Sequence, residues 1–180
     1  MNWKDKYPKN ALPPTPFIGL FGNHHNNWRL FARELLVHEG ADDKLIYDST
    51  DKGWEVVDDE NGDSLQDWIN ELVHRQHCAM KQAKCLVFSL DGHDRVWPNK
   101  FSNDFVVPNS APGNQRTLFA ARWELGWLSG IQKPTFVWIS DELQGRNYLR
   151  AAVKQYDYIK TFDTLVDATL AAAKFFVEEE

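Results

Sequence analysis

Beyond Pro16 the chain alternates between two hydrophobic rhythms. Short runs are apolar almost throughout, as strands covered on both faces of a parallel sheet are. Longer stretches repeat their apolar residues every three to four positions, as helices with one buried face do. The first run is Phe17-Ile18-Gly19-Leu20-Phe21, closed by Gly22. A helix follows, with Asn26 or Asn27 as its cap, Trp28, Phe31, Ala32, Leu35 and Leu36 on one stripe, and Gly40 as its stop. Lys44 to Asp48 supplies the second strand. An acidic, irregular stretch to Asp63 carries an Asn61-Gly62 turn signal, and Ser64 with Asp67 then forms a capping box. The helix it opens is the clearest in the chain, with Leu65, Trp68, Ile69, Leu72, Val73, Gln76, Ala79, Met80 and Ala83 on one stripe.

Cys85 to Leu90 is the third strand, apolar enough to be central, and it ends at Asp91-Gly92. Gly92 to Gln115, with Pro98, Pro108, Pro112 and Gly113, exceeds the usual connection of about 4–6 residues and reads as a lid-like loop. A helix over roughly Arg116 to Ser129, stopped by Gly130, precedes a strand at Thr135 to Ile139. A helix around Asn147 to Gln155, a strand near Tyr158 to Phe162 and a last helix at Thr164 to Val177 complete the order. Strand and helix alternate five times, which predicts an α/β sandwich around a parallel sheet with right-handed crossovers. Residues 1–16, with Lys and Pro but no sustained period, form an extended arm, and 17–180 a single domain.

Composition narrows the partners. The 180 residues are about one domain's worth, and 43% hydrophobic content can bury a core without a metal or a disulfide. Eight Trp, eleven Phe and five Tyr need either a large core or a stacking surface for a planar ligand. With 26 acidic and 20 basic side chains the formal charge is −6, which argues against a nucleic acid polymer as partner. A small nucleotide stays open, because backbone amides and helix ends can hold phosphate whatever the net charge. No apolar stretch approaches the roughly 20 residues of a membrane span. Only Cys78 and Cys85 are present and no secretory-signal order opens the chain, so a reducing, cytoplasmic compartment is expected.

Ligands of open parallel sheets bind beyond the carboxyl ends of the strands, near the point where strand order reverses. That rule brings together Gly22 to Asn27, Asp91 onward, and Ser140-Asp141. The helix Arg116 to Ser129 is apolar nearly all round and is expected to be buried on most sides, yet Glu124 sits in its middle. A buried carboxylate is costly unless hydrogen-bonded, paired or used, and a salt bridge to Arg122 or a distant Arg is the structural alternative to a reactive role.

These residues resemble the nucleoside 2-deoxyribosyltransferases and their N-glycoside-hydrolysing relatives. The resemblance rests on Phe17-Ile18-Gly19-Leu20-Phe21-Gly22 with Trp28-Arg29, on the third strand after Ala83 ending in Asp91, and on Ala121-Arg122-Trp123-Glu124-Leu125-Gly126 before the strand that Lys133-Pro134 opens. It implies a three-layer sandwich with a five-stranded parallel sheet in flavodoxin/Rossmann-like order. It also implies that Glu124 is the nucleophile that attacks C1′ of a nucleoside or nucleotide, forming a covalent glycosyl ester as in a retaining glycosidase. Gly126 beside it would permit close backbone approach.

Asp91 is the candidate second carboxyl, assisting the departing base, with Asp94 as a substitute. By the same analogy Gly22, Asn23 and His24 would meet the base or sugar. Trp97, in the long loop, is the tryptophan that could close over a planar base, while Trp28, Trp68 and Trp138 belong to the core and Trp123 flanks Glu124. No cofactor is implied, and the family habit implies a homo-oligomer whose sites are completed across an interface. A non-catalytic module of the same fold that binds or senses a nucleotide derivative is the alternative.

His74, His77 and Cys78 stand at i, i+3 and i+4, a zinc-compatible spacing with no further ligand at a matching one. Asp58 to Asp63 resembles a calcium loop only in composition, since Ser64 stands where its Gly should be. No dinucleotide fingerprint or phosphate-loop Lys accompanies Gly19 to Gly22.

Overall fold

The computed structural model describes residues 12–23, 27–48, 73–91, 93–94, 111–112, 117–143 and 145–178, with the backbone alone for 93–94, 111–112 and 117–123. Five strands form one parallel sheet: β1 (Ile18–Gly22), β2 (Ile46–Asp48), β3 (Cys85–Leu90), β6 (Thr135–Ile139) and β7 (Ile159–Phe162), in the order β2-β1-β3-β6-β7. β1, β3 and β6 are buried at every position, which is why their sequences show no polar alternation. The register pairs Ile18 with both Ile46 and Cys85, and Gly22 with Ser89.

Helices cover both faces. α1 (Trp28–His38) and α5 (Leu165–Glu178) pack on one side. α2 (residues 73–82), α3 (Thr117–Ile131) and α4 (Arg146–Val153) lie on the other. Alternate strand residues divide accordingly. Ile18, Leu20, Cys85, Val87, Phe136 and Trp138 join Trp28, Phe31, Leu36, Leu165, Ala172 and Phe176 in one core cluster. Phe17, Phe21, Leu86, Phe88, Leu90, Val137 and Ile139 join Ala79, Met80, Leu125, Leu128 and Val153 in the other. The expected three-layer α/β sandwich with a five-stranded parallel sheet is what the chain forms, and the 2-1-3-4-5 order is the flavodoxin-like one.

Local chemistry fixes the element ends. Thr164 caps α5 reciprocally: its hydroxyl oxygen accepts from the Asp167 amide at 3.0 Å while the hydroxyl donates to Asp167 Oδ2 at 2.6 Å. Lys84 Nζ donates to the Phe176 carbonyl at 3.0 Å, tying the start of β3 to the last turns of α5, where a cation suits the helix dipole. Gly40, at φ +100°, turns the chain after α1 as expected.

Several elements depart from the sequence reading. Asn27 holds the cap position of α1, but its backbone (φ −78°, ψ 22°) is not extended, and its side chain makes no capping hydrogen bond. The second strand begins only at Ile46, because Asp42 Oδ1 accepts from the Lys44 amide at 3.0 Å and winds Asp43–Leu45 into a 3-10 turn. Gly130 does not stop α3, which runs on to Ile131 and leaves Gln132 in the positive-φ position (φ 53°). Nor is α3 buried on most sides where its side chains are described. Glu124, Leu125 and Leu128 are buried, while Gly126, Ser129 and Gly130 are exposed, since small residues that raise apolar content do not require burial.

Within the long connection after β3, β4 (His93–Asp94) pairs antiparallel with β5 (Ala111–Pro112), so the ends of the excursion lie side by side. At the front of the chain Leu12 packs against the Phe17 and Phe21 side of the core. Residues 1–11 of the arm, the Ser64–Asp67 capping box with the helix start it serves, Trp68, and the 58–63 stretch lie outside the described residues.

Of the described glycines, Gly22 leaves the least room for a side chain. At φ +116° it occupies backbone space that L side chains rarely adopt, and a Cβ there would sit 2.1 Å from the Ser89 carbonyl oxygen. At Gly40 a Cβ would meet no described atom within 4 Å. Gly22→Ala is therefore expected to lose roughly 2–5 kcal/mol of unfolding free energy, strain and overlap together, against about 1–2 kcal/mol for Gly40→Ala. Urea unfolding of both variants checks this, and equal losses would show that the approach at Gly22 is not the tight one.

Candidate active site

The sheet order reverses between β1 and β3, the position at which this architecture offers a crevice beyond the strand ends. Four elements converge there. β1 ends in Gly22, with Asn23 next, β2 ends in Asp48, β3 runs out into Asp91, and α3, which precedes β6 in the chain, brings Glu124 to the Gly22 amide. The Asn23 amide donates to the Ser89 carbonyl at 3.0 Å, so the turn stays attached to β3 after the regular ladder stops.

The β1–β2 pairing stops at Leu20, and beyond it the Gly22 N–H donates to Glu124 Oε2 at 3.2 Å. That bond spans 102 residues of sequence. The side-chain amide of Asn23 donates to the backbone carbonyl of Asp91 at 2.5 Å, closing the other edge of the crevice. Trp28 Nε1 donates to the Asn23 carbonyl at 2.7 Å, so this ring supports the turn as well as the core. Arg29 donates through Nη2 to the Gly22 carbonyl at 2.9 Å and through Nη1 to the Asn23 carbonyl, and its Nε stands 3.4 Å from Asp48 Oδ1.

The electrostatics follow from burial. Glu124 is 2% exposed, and this desolvation pushes its carboxyl up to about 7. The Arg29 charge and the Gly22 N–H oppose that rise, because both favour the ionised form. Arg29, 3% exposed, has its pKa depressed by burial, against which the negative charges of Asp48 and Glu124 act, and the guanidinium stays charged at neutral pH. Tyr47 is pushed up to about 12, chiefly by burial, with Glu124 among the nearby charges, and so it is a neutral phenol.

Asn23 Oδ1, Ser89 Oγ and, on α2, Gln76 Nε2 are buried with no hydrogen-bond partner among the described residues. Buried polar atoms are normally satisfied by protein, water or ligand. Asn23 Oδ1 can therefore receive an N–H or O–H offered by a group in the crevice.

Gly22, Asn23, Asp91 and Glu124, four of the residues singled out from sequence, are thus brought together, and Asp91 is 1% exposed. Asp94 stands in β4, paired with Ala111, one step further along the chain from the crevice. His24 and Trp97 lie outside the described residues. Gly126 does not play the part expected of it: no described atom lies within 4 Å of a Cβ placed there, and the close approach belongs to Gly22 instead. Among the described residues no group of three or more His, Cys, Asp or Glu is placed to hold an ion. His74 Nε2 lies 3.6 Å from Cys78 Sγ, while His77 stacks on Trp127 with centroids 5.1 Å apart.

Sequence reasoning missed Arg29, Tyr47 and Asp48. The signal for Arg29 was available in its spacing, since Ala32 and Leu36 follow at i+3 and i+7 and place it on the buried stripe. Asp48 could be found only by knowing that it pairs with Leu20.

No family model matches the chain, and no curated protein matches it.

A raised carboxyl has a thermodynamic signature. With 4.5 as its ordinary value and about 7 in the folded protein, Glu124 binds its proton more tightly when folded. Stability is therefore greatest below about pH 4.5 as far as this group is concerned, and it falls as pH rises toward 7. The loss is on the order of 3 kcal/mol once Glu124 is ionised. Glu124→Gln should raise the melting temperature over the native chain at pH 8, with the gain shrinking toward pH 4.5. A gain independent of pH would contradict the assignment.

Proposed function

We propose that the protein is an N-glycosyl transferase or hydrolase acting on a nucleoside or nucleotide, with Glu124 as nucleophile and Asp91 as the assisting acid. The observation that carries this reading is the burial of Glu124 at the β1–β3 reversal with its Oε2 on the Gly22 N–H. A nucleophilic carboxylate must be fixed, desolvated and still able to ionise near neutral pH. A backbone donor and a nearby cation opposing the effect of burial provide that combination. The sequence resemblance to deoxyribosyltransferases, given above, supports the same assignment.

In this reading a Glu124 oxygen attacks C1′, and the C1′–N bond breaks with its electron pair going to the base. Asp91, protonated, gives the base a proton as it departs. The glycosyl ester on Glu124 is then opened by a second base, completing a transfer, or by water, and in either case Asp91 takes back the proton that the attacking N–H or O–H loses. Asn23, anchored to the Asp91 carbonyl, keeps its Oδ1 for a donor on the base or sugar. The formal charge of −6 favours a small substrate over a polymer.

Among the described residues no helix is long and apolar enough to cross a membrane. Work in the cytoplasm and completion of the site by a second copy of the chain both belong to this proposal.

One observation favours a second reading. Both carboxylates are almost completely buried, as suits a module that grips a nucleotide derivative without cleaving it. The two readings separate on whether ligand is returned intact.

Incubation with a panel of nucleosides, deoxynucleosides and their monophosphates, with and without an acceptor base, is expected to release free base. Glu124→Ala should lower that rate by at least about 10³-fold, and Asp91→Asn by about 10²–10⁴-fold. The rate should rise with pH through about 7 as Glu124 ionises. Absence of free base from every substrate, or full activity in Glu124→Ala, would exclude the glycosidic reading. A ligand that raises the melting temperature and is recovered unchanged would establish the binding module.

A further inference from the structure

We propose that Arg29 is the positioning residue of this site, the group that holds the Gly22–Asn23 turn in place against the Glu124 carboxylate. The proposal rests on the reading of Glu124 as the reacting carboxylate. It is carried by geometry that serves no purpose in the core. Arg29 is the second residue of α1, on the buried stripe, where an apolar side chain would serve packing better. Its guanidinium instead donates to the Gly22 and Asn23 carbonyls, and its Nε reaches the Leu20 carbonyl at a weak 3.5 Å.

The carbonyls at and beyond the end of a parallel ladder need donors from elsewhere. A planar fork with donors in fixed directions can serve two of them at once, which an ammonium cannot do in the same way. Trp28 adds a third donor to the same turn. With the carbonyl side of Gly22 held, the N–H side of the residue faces Glu124. Arg29 therefore fixes the one hydrogen bond from β1 to the carboxylate without contacting the reacting atoms.

The charge acts in parallel. Arg29 is paired with Asp48 on β2 at 3.4 Å, and its field reaches Glu124. Among the described residues the Gly22 N–H from β1 and the neutral Tyr47 from β2 also act with Glu124, while Arg75 from α2 acts on Tyr47 and Asp91, just past β3, is tied to the same turn through Asn23. Of these, Arg29 is the cation that favours ionised Glu124.

The test is the titration of Glu124, followed by carboxyl carbon NMR in the full chain and assigned with Glu124→Gln, alongside the pH profile of base release. Arg29→Met removes both charge and fork, and should move the Glu124 midpoint up by about one to three pH units. The acid limb of activity should move with it. Arg29→Lys keeps the charge but not the fork: the midpoint should stay near that of the native chain while turnover falls at every pH. Asp48→Asn leaves Arg29 in place with less of its charge offset, and should move the midpoint down, which keeps the test open if Arg29→Met does not fold. A midpoint unmoved in folded Arg29→Met, or unmoved in Asp48→Asn where Arg29→Met fails to fold, would overturn the proposal. Because the titration is read without turnover, a native chain that releases no base defeats the functional reading alone and leaves the Arg29 result to stand or fall by itself.

Discussion

Everything at the crevice depends on how closely β1 approaches β3 at Gly22. A side chain there would strike the Ser89 carbonyl, and Gly22, while still paired with Ser89, donates its amide to Glu124 on α3. This junction ends the strand, keeps Asn23 hydrogen-bonded to Ser89, and gives Glu124 a donor. The large apolar clusters on either face of the sheet hold the strands and helices in register, but they do not specify this junction. They supply the rigidity against which it is set.

The second constraint is charge in a place without water. Asp48 and Asp91 stand at the ends of β2 and β3, Glu124 comes from α3, and Arg29 acts on both Asp48 and Glu124. Burial alone would keep Glu124 protonated and inert as a nucleophile, whereas a fully solvated glutamate would be ionised but poorly held. The opposing effects of burial, Arg29 and the Gly22 N–H leave Glu124 near 7, where both protonation states are accessible at physiological pH. The packing that fixes the carboxylate and the chemistry it can perform therefore share one physical origin.

Much of this was legible in the sequence, for identifiable reasons. β1 and β3 declared themselves because strands buried on both faces tolerate no polar residue, and α1 because its stripe is regular. Glu124 stood out as a charge within an apolar helix, and Gly22 as the residue that closes a strand. What could not be read were relations between distant segments. The pairing of Arg29 with Asp48 exists because Leu20 and Asp48 are in register, and the Glu124–Gly22 bond crosses most of the domain in sequence. Small residues misled for a related reason: Gly126 was expected to face a neighbour and faces none among the described residues, while Gly130 continues a helix it was expected to end. Which side of a helix a glycine lies on is decided by packing, not by its own conformational freedom.

The central claim is that Glu124 is the carboxylate that becomes bonded to substrate. The most direct measurement is acid quenching during turnover with a deoxynucleoside, followed by peptide mass mapping of the protein. The account predicts a mass increment equal to the sugar residue, confined to the peptide that contains Glu124 and discharged when an acceptor base is added before the quench. Base release that proceeds with no such increment, or with the sugar attached to a different peptide, would contradict it.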